Sequence, residues 1–154
     1  MALLVVRMRG TVNVPYWALT TLKNLYLNKK FSATLVPETK NYLGMLIKIN
    51  QWVAWSKADS DIIKTLIEKR GKKKSLTLES KDGNKSKSDY KGIEELVDVI
   101  VNDKIKFSDQ NNIKPWFSLN PPKGGFKKNT KRQFSDGGIL GNNKELLEIV
   151  KRMV

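Results

Sequence analysis

The chain has no cysteine and no histidine among its 154 residues. Without cysteine, disulfides, thiolate nucleophiles and cysteine-based zinc sites are excluded. Without histidine, the usual general base and the commonest metal ligand are missing as well. Most hydrolases and metalloenzymes fall away on those grounds, while carboxylate and lysine chemistry stay open. Acidic residues are scarce: 15 Asp and Glu stand against 29 Lys and Arg, a formal net charge of +14. Such an excess repels itself and calls for an anionic partner: nucleic acid, an acidic membrane surface or an acidic protein. Long apolar runs are also lacking. The opening Met1-Ala2-Leu3-Leu4-Val5-Val6-Arg7 meets arginine too early for a signal peptide, and nothing reads as a membrane span. A cytoplasmic protein is the expectation. Hydrophobic residues make up 40% of the chain, enough for a core, and the length suits one domain or one domain plus an elaboration.

What is present is basic and uneven. Residues 1–60 carry eight Lys/Arg and two Asp/Glu (net +6), residues 61–110 twelve and ten (net +2), and residues 111–154 nine and three (net +6). If one face binds the partner, the two ends of the chain build it and the balanced middle lies away from it.

The first sixty residues read β-α-β-α-β. Residues 3–9 alternate as a strand, with Leu4, Val6 and Met8 on one side and Leu3, Val5, Arg7 and Arg9 on the other. Pro15 suits the first turn of a helix over 15–27 whose stripe is Ala18, Leu19, Leu22, Leu25 and Tyr26. A strand over 31–36 precedes a helix over 41–50 burying Leu43, Leu46, Ile47 and Ile49, and a short strand follows at 51–55. Ser60 is placed to cap a helix near 60–70 that Gly71 stops. Beyond it lie the run Lys72-Lys73-Lys74, a strand over 75–79, a polar loop over 81–91 and an amphipathic helix near 93–102. A short strand at 116–119 and a helix near 144–153 close the chain.

The strongest functional signal is residues 120–134, with five Lys/Arg, no Asp/Glu, Pro121-Pro122, Gly124-Gly125 and two phenylalanines. No period of 2 or 3.6 runs through it, so it reads as a loop. Lys123, Lys127, Lys128, Lys131 and Arg132 supply charge for phosphates. Gly124 and Gly125 let backbone N–H groups approach an anion, and Phe126 and Phe134 offer faces for unpaired bases or anchors for the loop. Arg7 and Arg9, on one strand face, make poor core and good phosphate surface. The carboxylates Glu94, Glu95 and Asp98 lie on the polar side of an amphipathic helix and read as a solvated face rather than a metal site. Gly137-Gly138-Ile139-Leu140-Gly141 precedes a helix, a place for a phosphate or for a turn needing positive φ.

Val6-Arg7-Met8-Arg9-Gly10-Thr11-Val12-Asn13-Val14, Tyr42-Leu43-Gly44-Met45-Leu46, Val53-Ala54-Trp55 and residues 115–127, continuing through 131–141, resemble the long, archaeal-type branch of the large-subunit ribosomal protein family "L-thirty". The family often has Arg at the positions of Tyr16 or Trp17 and His at that of Asn120. The resemblance implies an α+β fold: a small two-layer β-α-β-α-β core over 1–56, a ferredoxin-like variant with an antiparallel sheet. A mostly helical C-terminal extension over 57–154 then carries the long basic loop 120–143. It also implies a structural, non-enzymatic role without cofactor, metal or small-molecule substrate. The implied partners are large-subunit rRNA, with the small 5S rRNA as a further candidate, and neighbouring large-subunit proteins around a monomer. Arg7, Arg9, Asn13 and the loop residues Lys123, Gly124, Gly125, Phe126, Lys127, Lys128, Lys131, Arg132 and Phe134 are the expected RNA contacts. The rivals are a free-standing RNA- or DNA-binding module and a carboxylate-dependent RNA-processing enzyme.

Overall fold

Six consecutive buried residues, Ala2–Arg7, form strand β1. The computed structural model describes residues 2–71, 97, 100, 107 and 113–154. In it β1 lies between two antiparallel neighbours: Val5 stands opposite Thr34 of β2 (Ser32–Pro37) and opposite Trp55 of β3 (Val53–Lys57). Side chains alternate across a strand, so a strand buried throughout needs cover on both faces. Leu3 and Val5 pack with Ala18 and Leu22 of helix α1 (Tyr16–Asn24) and with Leu46 of α2 (Lys40–Lys48). Leu4, Val6 and Met8 pack on the other side with Ile63 and Leu66 of α3 (Ser60–Arg70) and Leu146 and Val150 of α4 (Leu146–Lys151).

The β-α-β-α-β core is therefore as expected, an antiparallel sheet backed by α1 and α2. The later half of the chain adds a third layer on the open face and widens the sheet. The strand order is β4-β2-β1-β3-β6-β5. β4 (Phe117–Ser118) pairs antiparallel with β2, whereas β6 (Gly138–Asn142) runs parallel to β3 and β5 (Asn129–Gln133) parallel to β6 in an irregular register. The whole sheet is thus mixed. Among the described residues the extension supplies α3 and α4, and beside them the strands β4, β5 and β6. Ile139 and Leu140 fill β6 between glycines, a run too short to show a strand period.

Three local expectations change. Ile47 is exposed, because it sits about 100° around α2 from the buried Leu46. Leu19 is exposed on α1, and Tyr26 is exposed beyond it, because the helix ends at Asn24. Ser60 is the first residue of α3 rather than its cap; Asp59 holds that position without a side-chain hydrogen bond. The expected run 72–74, strand 75–79, loop 81–91 and most of helix 93–102 lie outside the described residues; Val97 and Ile100 are described and buried in the second-face cluster. No helix among the described residues is long and apolar enough to cross a membrane.

Candidate nucleic-acid interface

At the C-terminal end of β1 the two expected arginines part company. Arg7 is only 1% exposed. Its Nε donates to the Arg9 carbonyl at 2.9 Å, Nη1 to those of Leu27 and Asn28 at 2.8 and 3.1 Å, and Nη2 to that of Gly10 at 2.8 Å. Burial lowers its pKa from the ordinary arginine value, but a guanidinium so placed stays charged. Arg7 is thus a clamp between the β1–α1 and α1–β2 loops: four of its five N–H donors go to main-chain carbonyls and the side chain is buried, which speaks against the expected phosphate contact. Alternation placed it correctly beside Leu3 and Val5. That face is covered by α1 and α2, so charge alone did not put it outside. Arg9, beyond the strand, is half-buried and reaches the Gln51 carbonyl at 3.4 Å. Asn13 is exposed with φ +56°.

The basic segment starts at this same end of the sheet. The Leu119 N–H donates to the Phe31 carbonyl at 3.0 Å, so the chain leaving β4 emerges beside the start of β2. It is then tied to the C-terminus. The Asn120 and Lys123 N–H groups donate to the Met153 and Arg152 carbonyls, and Arg152 Nη1 donates back to the Lys123 and Gly125 carbonyls at 3.3 and 3.2 Å. Gly124 and Gly125 have φ +77° and +73°, with open space where a Cβ would stand. Their backbone path, rather than crowding, calls for glycine. The Phe126 ring stacks on Phe31 with centroids 6.0 Å apart. Lys128 Nζ is 2.7 Å from Glu145 Oε1 and 4.9 Å from the Phe134 ring centroid. Phe126, Phe134 and Lys128 therefore serve the shape of the segment itself.

Residues 129–133 are the edge strand β5, not loop. Pairing with β6 makes the strand: a Cβ on Gly138 would collide with the Arg132 backbone, so only glycine admits this approach. Such a tertiary cause leaves no local period to read. Lys123, Lys127, Lys131 and Arg132 are exposed and have no ion pair among the described residues. The glycine-rich stretch before α4 is a turn in which Gly137 has φ +75°, with Gly138 and Gly141 buried in the sheet. The Asn143 side-chain oxygen takes the Glu145 N–H at 2.8 Å, which fills the anion position imagined there. No carboxylate cluster fit for a metal exists among the described residues.

The strand registers bring residues 8–14, 25–31, 49–52 and 119–128 to one end of the sheet. These segments carry Arg9, Lys29, Lys30, Lys123, Lys127 and Lys128, and no Asp or Glu. The other end holds Asp59, Asp61 and Glu38, the last 3.3 Å from Lys57. Lys29 and Lys30 had not been singled out from the sequence. The available signal was that the first 37 residues hold five Lys/Arg and no Asp/Glu.

The family model described as Ribosomal protein L30p/L7e matches residues 3–53, from β1 to the start of β3. Curated relatives extend the likeness over the whole chain. The large ribosomal subunit protein uL30 of Cenarchaeum symbiosum is 43% identical, covering 99% of this chain and 98% of its own. Those of Nitrosopumilus maritimus and Staphylothermus marinus are 40% and 41% identical, covering 99% and 97% of this chain and 98% and 96% of their own. With residues 3–53 matched by the family model and the likeness to these relatives running along nearly the whole chain, the chain belongs to the large ribosomal subunit protein uL30 family.

Proposed function

We propose that the chain is a structural, non-enzymatic constituent of the large ribosomal subunit that binds large-subunit rRNA through the basic end of its sheet. The observation that carries this reading is the convergence of Arg9, Lys29, Lys30, Lys123 and Lys127 from segments without one carboxylate, in a chain whose full-length relatives are named for that subunit. Lysine and arginine neutralise phosphates and release counterions, so binding is steeply salt-dependent. Lys131 and Arg132 continue the cationic surface along the outer edge strand. The Gly124 N–H and Asn13 add neutral donors near the backbone, while the Gly125 N–H is held by the Pro122 carbonyl. Phe126, Phe134 and Lys128 support the segment, and Arg7 fixes the loops beneath it. Double-stranded RNA offers shape and phosphates rather than a readable major groove, and a pre-set cationic surface suits that target. The 5S rRNA and neighbouring subunit proteins are further partners in this reading, with the protein a cytoplasmic monomer inside the particle.

Gradient sedimentation tests it. The protein should travel with the large subunit in moderate salt and leave it in high salt; a protein that stays at the top of the gradient in moderate salt is a free-standing binding module. Crosslinking within the particle should attach Lys29, Lys30, Lys123 and Lys127 to nucleotides, and crosslinks confined to Lys57 and its end of the sheet would defeat the assignment of the surface.

A further inference from the structure

Helix α1 ends in an arrangement that ordinarily belongs to glycine. The Tyr26 N–H donates to the Lys23 carbonyl at 3.0 Å and the Leu27 N–H to the Leu22 carbonyl at 2.8 Å. That pair of bonds is a Schellman motif, with Leu22 and Leu27 making its apolar contact in the core. The motif requires a left-handed residue between them, usually glycine or asparagine. Here it is tyrosine, at φ +58°. A bulky residue there strains the backbone. The ring is only partly packed: Tyr26 is 42% exposed and its hydroxyl has no hydrogen bond among the described residues.

The strained ring stands between two surface hollows. On one side is an open groove of about 700 Å³ lined by Tyr16, Leu19, Lys23 and Asn24. On the other is a hollow of about 150 Å³ lined by Asn28, Lys29, Ser32 and Trp116. Tyr16, which lines the same groove as Tyr26, is 85% exposed. The surroundings are cationic: the first 37 residues contain no carboxylate, and Lys23 and Lys29 flank the ring. An exposed aromatic surface among lysines fits an unpaired nucleotide, its base against a ring and its phosphates beside the ammonium groups.

We infer that Tyr26 is a stacking platform for an unpaired base of single-stranded RNA, with Tyr16 in the same groove and Lys23 and Lys29 on the flanking phosphates. The inference rests on the RNA-binding reading above and names a site within it that duplex shape does not use. Backbone strain persists where it serves a site. Substitution at Tyr26 therefore improves the fold while weakening the complex.

The test compares the full-length protein with Tyr26→Asn, which suits the left-handed backbone without a ring, Tyr26→Gly and Tyr26→Phe. Two probes are used: a 20-nucleotide single-stranded RNA of mixed sequence and an A-form duplex of equal length. Tyr26→Asn and Tyr26→Gly should melt at or above the wild-type temperature and lose at least about five-fold in affinity for the single strand. They should keep duplex affinity and both salt slopes, and Tyr26→Phe should bind as wild type. Tyr26→Asn and Tyr26→Gly binding the single strand as tightly as wild type would overturn the site. So would equal losses on both probes, or a loss accompanied by a fall in melting temperature. Wild-type protein that binds neither RNA in a salt-dependent way defeats instead the RNA-binding reading on which the site depends.

Discussion

The two ends of the sheet are bounded by the same three core strands and carry opposite chemistry. At one, four segments bring together six Lys/Arg and no Asp/Glu. At the other, Glu38 meets Lys57 at 3.3 Å and Asp59 and Asp61 open α3. The difference teaches that the global charge is not a uniform coat. The end with Glu38 can neutralise itself, whereas at the basic end Glu145 meets only Lys128 and the remaining cations have no ion pair among the described residues. Arg7 and Arg9 repeat the contrast two residues apart. One spends its charge on four backbone carbonyls of its own chain, while the other sits at the rim with a single long contact.

The largest expected effect breaks the clamp beneath the cationic end. Arg7→Met leaves the Gly10, Leu27 and Asn28 carbonyls without their donor and should cost ~3 kcal/mol or more in urea unfolding. An unchanged unfolding midpoint would mean that those carbonyls find other partners. Next comes the comparison itself. Replacing Lys123, Lys127, Lys131 and Arg132 with Ala should leave the melting temperature unchanged and lower the log–log salt slope of RNA binding by roughly one unit per lost phosphate contact. The matched change at the other end, Glu38→Gln with Asp59→Asn, should leave that slope alone. Equal slopes for wild type and the quadruple variant would put this segment in solvent.

A smaller effect separates support from contact. Phe126→Ala should lose about 2 kcal/mol of stability, because the ring packs on Phe31 inside the protein. Full stability with weakened binding of single-stranded RNA would instead make Phe126 a base contact. Lys128→Ala should change the salt slope less than Lys131→Ala does, since Glu145 already holds Lys128. Smallest of all is the pH response. The chain has no histidine, so RNA affinity should vary by less than about two-fold between roughly pH 6 and 8.

Much of the fold was legible where a local period or breaker decided the outcome. The alternation in β1, the stripe Ile62, Ile63, Leu66 and Ile67 of α3, and Gly71 at its end all carried their own signal. What stayed hidden depended on partners distant in sequence. β5 exists because β6 lies beside it, and β6 because β3 offers Ala54 and Trp55 an open neighbour. The site divides in the same way. Charge and glycine marked Lys123, Gly124, Gly125 and Lys127 locally. The burial of Arg7 could not be read from alternation alone, because it required knowing that α1 and α2 cover that face. Lys29 and Lys30 gained weight only once the registers set them beside the segment after β4. Tyr26 read as part of an apolar stripe, since nothing in the sequence says that helix α1 stops at Asn24.

The Arg7 clamp has a consequence for how this surface can change. Every acceptor it uses is a main-chain carbonyl, from residues 9, 10, 27 and 28. A carbonyl is present whatever side chain its residue carries. The exposed side chains of these loops can therefore vary without touching the clamp, which depends on the identity of position 7. The scaffold separates the residue that must stay from the residues that are free to vary.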